Sequence, residues 1–189
     1  MTRTACPLPV IPGLSVTDCR GAPVGFAGDL NSPGSPHGCT IVGCVQRGTG
    51  YRNGAIIQSM AANLGKHTEQ MASFGVPAVD SVAELLEMVD CVFLTSWDGR
   101  VRLEQAMEVL RSRKPLFWDK PIAATFPQVL ALYTVADALQ VPVFSSSSLR
   151  WLAGCQAAQN GEHGAIEGAD THSPCPFETE YRPKPDLFH

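Results

Sequence analysis

The triplet Asp119-Lys120-Pro121 carries the residue types best placed to do chemistry in this chain. It directly follows a short apolar run, 116–118, that is typical of a buried strand. A lysine at the carboxyl end of a parallel strand lies where open α/β sheets bind their ligands. Its ammonium group could hold a substrate hydroxyl, or pass a proton if burial or a nearby charge lowered its pKa. On the residues alone, a surface lysine in an ordinary loop explains the triplet equally well.

Two further loops follow predicted strands and contain polar residues. Trp97 and Asp98 follow the strand 90–95, although Asp98-Gly99 is also compatible with a simple turn. Arg47 follows the strand 41–45, where an acid would bind the adenosine ribose of NAD and an arginine would favour the 2′-phosphate of NADP. A solvated arginine in a glycine-rich loop is the alternative. The arginine and the lack of an acid favour NADP slightly over NAD.

Other chemistry-bearing patterns are weak. A G-x-G-x-x-G turn would let the backbone approach a pyrophosphate at a helix N-terminus, but Gly25-Phe-Ala-Gly28 follows no clear strand and is interpreted as a loop. The serine run 145–148 is interpreted as a capping loop, because the chain has no G-x-S-x-G nucleophile elbow. The five histidines form no paired ligand motif, so we predict no metal site.

The elements that must position these residues alternate between strand and helix from residue 41 onward. Apolar strands are predicted at 41–45, 90–95, 116–118 and 141–145, with a short extended piece at 77–80. Helices are predicted at 55–74, 82–88, 101–111, 127–139 and 149–159. Gly75 fits a helix stop, and Ser81 with Glu84 forms a capping box. Such alternation predicts a doubly wound, parallel, Rossmann-like α/β sheet covered on both faces.

The first 40 residues lack this regularity. Proline and glycine recur there, so we predict an irregular segment over 1–40 and an incomplete first βα unit. A Rossmann-like domain is expected over 41–148. The alternation stops after that, and 149–189 is expected to be the start of a truncated second α/β domain.

Composition narrows the class of protein. The net charge of −4 argues against nucleic acid and against a polybasic membrane patch. No apolar run approaches the roughly 18 residues of a membrane span. The seven cysteines contain no CxxC pair and are interpreted as reduced thiols in a cytoplasmic protein, with Cys91 inside a buried strand.

Several longer motifs together resemble one family. They lie at 76–86, 89–94, 98–100, 103–106, 114–121 and 141–150, followed by 164–176. In combination they resemble the Gfo/Idh/MocA oxidoreductases, the relatives of glucose–fructose oxidoreductase and inositol dehydrogenase. The resemblance implies an NAD(P)-binding Rossmann domain followed by a second domain that forms the substrate pocket. It also implies oxidation or reduction of a sugar, a cyclitol or a related hydroxy compound, and often an oligomer.

The resemblance also assigns roles to residues. Lys120 matches the catalytic lysine of the family's E-K-P motif, and Asp119 and Pro121 match its neighbours near the cofactor. Trp97 and Asp98 fall in the loop that lies beside the cofactor in the family. The chain departs from the family where the first strand and its glycine-rich turn should precede residue 41, and it ends where the segment with the second-domain histidine should begin.

Two functional hypotheses therefore stand. The first is an NAD(P)-dependent oxidoreductase, or an inactive fragment of one, with a small-molecule substrate and with homo-oligomer formation open. The second is a non-catalytic Rossmann scaffold, an interaction module without cofactor. An exposed sheet edge in place of the first strand would favour the second hypothesis, because such an edge pairs with other chains.

Overall fold

The chain folds into one parallel sheet with helices between the strands. The computed structural model describes residues 13–17, 21–45, 63–96 and 99–170. The strands are β1 (Gly13–Thr17), β2 (Thr40–Val45), β3 (Ala78–Val79), β4 (Cys91–Leu94), β5 (Leu116–Trp118) and β6 (Val143–Phe144). The helices are α1 (Gly21–Leu30), α2 (Leu64–Ser73), α3 (Val82–Met88), α4 (Gly99–Arg111), α5 (Phe126–Leu139) and α6 (Ala153–Gln159), with a 3₁₀ helix at Ser148–Trp151.

The sheet has the strand order β3-β2-β1-β4-β5-β6, and every neighbouring pair is parallel. The chain moves outward from β1 in one direction as far as β3, then returns past β1 and continues from β4 to β6 in the other direction. This is the doubly wound order of dinucleotide-binding folds, with its switch point between β1 and β4. The predicted fold class is confirmed.

The prediction of an irregular segment over 1–40 was wrong for residues 13–17 and 21–30, which form β1 and α1. Strand β1 lies in the middle of the sheet, where Leu14 pairs with Ile41 of β2 on one side and with Cys91 of β4 on the other. A central strand is usually a continuous apolar run, and Gly13-Leu-Ser-Val-Thr17 is not one. Its conformation follows from pairing on both edges, which no local pattern reveals.

Helix α1 corrects the same prediction. Its sequence, Gly21-Ala-Pro-Val-Gly-Phe-Ala-Gly-Asp-Leu30, contains three glycines and a proline, and therefore has poor intrinsic helix propensity. Packing compensates for this. Ala27 is fully buried, and Phe26 meets Phe93 of β4 edge-on with ring centroids 5.6 Å apart. The helix is thus stabilised by tertiary contacts rather than by propensity.

Two apolar clusters cover opposite faces of the sheet. The larger joins α3, α4 and α5 to the strands through residues such as Leu85, Leu110 and Leu132. The smaller joins α1 and α2 to β2 and β4, and includes Met71 and Cys91. Successive strand residues point to opposite faces, which is why β4 contributes to both clusters.

Local signals placed several boundaries correctly. Ser81 Oγ accepts a hydrogen bond from the Glu84 amide at 3.0 Å and so caps α3, as predicted. The Glu84 carboxylate in turn accepts a hydrogen bond from the amide of Asp80 at 3.1 Å. Gly75 ends α2 with φ +75°, and the Val76 amide donates to the Met71 carbonyl at 3.1 Å. That pair of features is the Schellman stop in which glycine is favoured.

Candidate functional site

The carboxyl ends of β1, β4 and β5 meet at one edge of the sheet. The loop after β4 begins at Thr95, and the loop after β5 begins at Asp119. The switch point between β1 and β4 opens a crevice at this edge in folds of this order, since the flanking helices run to opposite faces. The residues around this edge form the candidate site.

The Asp119-Lys120-Pro121 triplet lies immediately past β5. The Asp119 amide donates to the carbonyl of Leu94 at 2.9 Å, which ties the triplet to the end of β4. The Asp119 carboxylate accepts from the Lys120 amide at 2.8 Å and so closes a local turn. The Lys120–Pro121 peptide bond is cis. The side chain of Lys120 is exposed, so its ammonium group is open to a ligand at this edge.

The start of the loop after β4 is buried. Ser96 is 1% exposed, and its hydroxyl has no hydrogen-bond partner among the described residues. Its carbonyl accepts from Nε of Arg102 at 2.6 Å and also from Nη2 of the same guanidinium. A buried hydroxyl without a partner is uncommon, because desolvation without a hydrogen bond costs free energy. It marks a position where a ligand or a water could be bound.

The first turn of α4 contacts both the loop after β4 and the loop after β5. A Cβ built on Gly99 would lie 2.9 Å from the carbonyl carbon of Ala123 and 3.0 Å from its oxygen. Because both contacts are to backbone, no side chain fits at Gly99. The loop after β5, which contains Lys120, therefore packs directly against the start of α4. Arg102, one turn later in α4, contacts the loop after β4.

Helix α1 follows β1 at the edge where folds of this order bind a phosphate. Strand β1 ends at Thr17 and α1 begins at Gly21, so the helix N-terminus lies next to the switch point. A Cβ added at Gly25 would meet nothing within 4 Å. Gly21, Gly25 and Gly28 do not match G-x-G-x-x-G. The N-terminus of α1 and the Ser96 hydroxyl, which lacks a partner among the described residues, nevertheless suit an anionic dinucleotide at this edge.

The predicted site residues divide into two groups. Asp119, Lys120 and Pro121 lie together at the carboxyl edge. Arg47, Trp97 and Asp98 lie outside the described residues.

Sequence reasoning missed Ser96, Gly99 and Arg102. The helical periodicity of 101–111 predicts an inner face of Leu103, Ala106, Met107 and Leu110. The structure buries Ala106 and Leu110, leaves Leu103 and Met107 partly buried, and also buries Arg102 and Gln105. Arg102, Gln105, Ala106 and Val109 do have the spacing of a buried helical face. This face was hidden because two of its members are polar.

The serine run 145–148 is a capping loop, as predicted. Ser147 Oγ accepts from the Leu149 amide at 3.3 Å and caps the 3₁₀ helix. Within the described ranges, no three metal-ligating side chains cluster. In the same residues, no helix has the length and apolar character needed to cross a membrane.

Cys91 lies at the other end of β4, away from this edge. Burial, with Cys39 and Asp90 nearby, raises the pKa of its thiol from 9.0 to about 11. A thiol with such a pKa is protonated at neutral pH and therefore a poor nucleophile. The prediction of a buried core thiol is confirmed.

Comparison with known families gives a match over more than half of the chain. The Gfo/Idh/MocA model, described as an oxidoreductase family with an NAD-binding Rossmann fold, matches residues 41–147. These residues include β2 to β6 and the Asp119-Lys120-Pro121 triplet. A comparison with curated proteins gave no match.

Solved structures share the fold at low sequence identity. An NAD-binding protein from Listeria innocua superposes with a TM-score of 0.61 at 17% identity, over 80% of this chain and 40% of that chain. KijD10, a 3-ketoreductase from Actinomadura kijaniata solved with NADP and TDP-benzene, has a TM-score of 0.59 at 18% identity, over 82% and 43%.

A third relative is the WlbA dehydrogenase from Chromobacterium violaceum, solved with NADH and UDP-GlcNAcA. Its TM-score is 0.62 at 15% identity, over 82% of this chain and 40% of that chain. The chain thus spans about two fifths of the length of these relatives. At such identities the likeness is evidence for the fold.

Proposed function

The chain belongs to the Gfo/Idh/MocA oxidoreductase family, and we propose that it binds NAD or NADP at the carboxyl edge of its sheet. We further propose that it serves hydride transfer on a sugar, a cyclitol or a related hydroxy compound. The observation that carries the proposal is the strand order β3-β2-β1-β4-β5-β6, with its switch point beside β1. Sheets of this order bind dinucleotides at that point.

The residues at the edge suit the parts of such a cofactor. The N-terminus of α1 is the positive end of a helix dipole, which favours a pyrophosphate. The Ser96 hydroxyl can donate to an acceptor on the cofactor, which would supply the partner it lacks within the described residues.

Lys120 is the proposed catalytic residue. When bound, a nicotinamide ring supplies or accepts the hydride at its C4 carbon. The exposed ammonium of Lys120 would hold the substrate oxygen by a charge-assisted hydrogen bond and pass a proton to or from it. Asp119 supports this role by fixing the turn that presents the lysine. Pro121 follows directly in the same turn.

The choice between NAD and NADP rests on residues of the outer loops. Arg47 after β2 favours the 2′-phosphate of NADP, while Trp97 and Asp98 would lie beside the cofactor. The solved relatives were crystallised with NADP in one case and with NADH in another, so both cofactors occur on this fold. Those two structures also hold sugar-nucleotide or nucleotide-type ligands, which makes nucleotide-linked sugars the first substrates to test.

Fluorescence titration with NADPH and NADH tests the proposal directly. We expect saturable binding of at least one dinucleotide below millimolar concentration. Lys120→Met should leave that dissociation constant within about twofold, because the residue acts on the substrate, and should reduce turnover by about a hundredfold or more. Lys114→Met is the matched control, since Lys114 bonds the Val89 carbonyl away from the site. No binding at millimolar cofactor would refute an active oxidoreductase.

A non-catalytic scaffold is the second candidate, and one observation favours it. The glycines of α1 do not follow the G-x-G-x-x-G pattern, so the phosphate turn is atypical. The other expected support is missing, because β1 fills the place between β2 and β4 and leaves no vacant central position. A monodisperse folded chain that binds neither dinucleotide would favour the scaffold.

A further inference from the structure

Arg102 is a buried charge in a place where stability alone does not call for one. Among the described residues it is the only charged side chain that is fully buried. Removing a guanidinium from water costs free energy that a well-packed apolar side chain would not. In some proteins a buried charge of this kind fixes a specific geometry.

The geometry it holds is that of the loop after β4. Nε and Nη2 of Arg102 both donate to one acceptor, the carbonyl of Ser96. Ser96 is two residues past the end of β4, one of the two strands that flank the switch point. A planar guanidinium fork orients its acceptor as well as attracting it.

We propose that Arg102 is a positioning residue, which fixes the Ser96 backbone and with it the β4 loop at the dinucleotide edge. The inference rests on the proposed function and deepens it. Gly99 packs the same helix turn onto the backbone of Ala123, three residues past Lys120. The first turn of α4 therefore sets the loop that meets the cofactor and also contacts the loop that carries the catalytic lysine.

Hydrogen exchange of the full chain without cofactor tests the structural half of this proposal. Arg102→Met should raise exchange about tenfold in the peptides around 92–100 while leaving α5 at the wild-type rate, because the opening is local. Arg111→Met, an exposed arginine on the same helix, is the matched control and should change neither region. A uniform rise in both regions, or no rise near 96, would overturn the positioning role.

Dinucleotide binding tests the functional half. Arg102→Met should raise the dissociation constant for NADPH or NADH about tenfold, because the loop is misplaced. The dissociation constant of Arg102→Lys should lie between those of Arg102→Met and the wild type. Binding equal to that of Arg111→Met would refute the inference. If the wild type binds neither dinucleotide, the proposed function fails, and the exchange experiment still decides whether Arg102 positions the loop.

Arg102→Lys also serves if the methionine variant does not fold. Lysine keeps the charge and the apolar stem but lacks the planar fork. Faster exchange near 96 with unchanged exchange in α5 would then support the role. Exchange identical to the wild type would overturn it.

Discussion

The two faces of the sheet are built differently. On the face of α3, α4 and α5, the larger cluster contains 15 buried apolar residues within the described chain. On the face of α1 and α2, the corresponding cluster contains six. Among the described residues, the larger cluster supports the Lys120 loop and α4, and the smaller one holds α1, the helix next to the proposed phosphates, against the sheet. Sites that bind ligands through backbone amides need close approach and tolerate little side-chain bulk.

The largest expected effect comes from removing core volume on the two faces. Leu110→Ala should destabilise the chain by about 4 kcal/mol, since the fully buried Leu110 is enclosed by the larger cluster. Met71→Ala should cost about 2 kcal/mol, because the fully buried Met71 belongs to the smaller cluster of the described residues. Urea denaturation measures both. Equal losses would show that the two faces are packed alike.

Glycine-to-alanine substitution should change the free energy of unfolding in opposite directions in α4 and in α2. Gly99→Ala should destabilise by about 2 kcal/mol, because its Cβ would meet the Ala123 backbone at 2.9 Å. Gly65→Ala in α2 should stabilise by about 0.5–1 kcal/mol, since no atom of the described residues lies within 4 Å of its Cβ and alanine favours helix. Thermal unfolding checks both signs. A stabilising Gly99→Ala would show that the loop after β5 does not rest on α4.

The smallest expected effect concerns the buried thiol of Cys91, which belongs to the smaller cluster. The folded-state pKa of Cys91 is raised to about 11, so the unfolded thiol loses its proton first as pH rises. Its contribution to stability is therefore complete below pH 9 and is lost between pH 9 and about 11. The urea midpoint should fall over that range, and Cys91→Ala should reduce the fall.

Cys155 provides the control for this experiment. It is exposed on α6, so Cys155→Ala removes a thiol that no apolar cluster encloses. Mass-resolved alkylation at pH 8 should label Cys155 at least about tenfold faster than Cys91, because Cys155 is exposed to the reagent and Cys91 is buried. Equal labelling rates would contradict the burial of Cys91.

Elements with a local sequence signal were predicted, and an element that depends on contacts between distant residues was not. The capping box of α3 and the glycine stop of α2 were predicted because each depends on residues a few positions apart, and β2, β4 and β5 because each is an apolar run. Strand β1 was not, since Gly13-Leu-Ser-Val-Thr17 is no continuous apolar run and its conformation depends on pairing with β2 and β4, as the Leu14–Ile41 and Leu14–Cys91 pairs show. The position of Lys120 past a strand was predicted, but its contact partners were not.

The amino-acid sequence by itself determined the alternation of strands and helices, the family and the triplet Asp119-Lys120-Pro121. Periodicity and short motifs carry that information, because they reflect local geometry and the side chain that must face the core. Only the tertiary structure decided that β1 fills the centre of the sheet, that Arg102 is buried against the Ser96 carbonyl and that Gly99 meets Ala123. These contacts join residues from different elements, and their free energy exists only once the sheet and its helices have assembled.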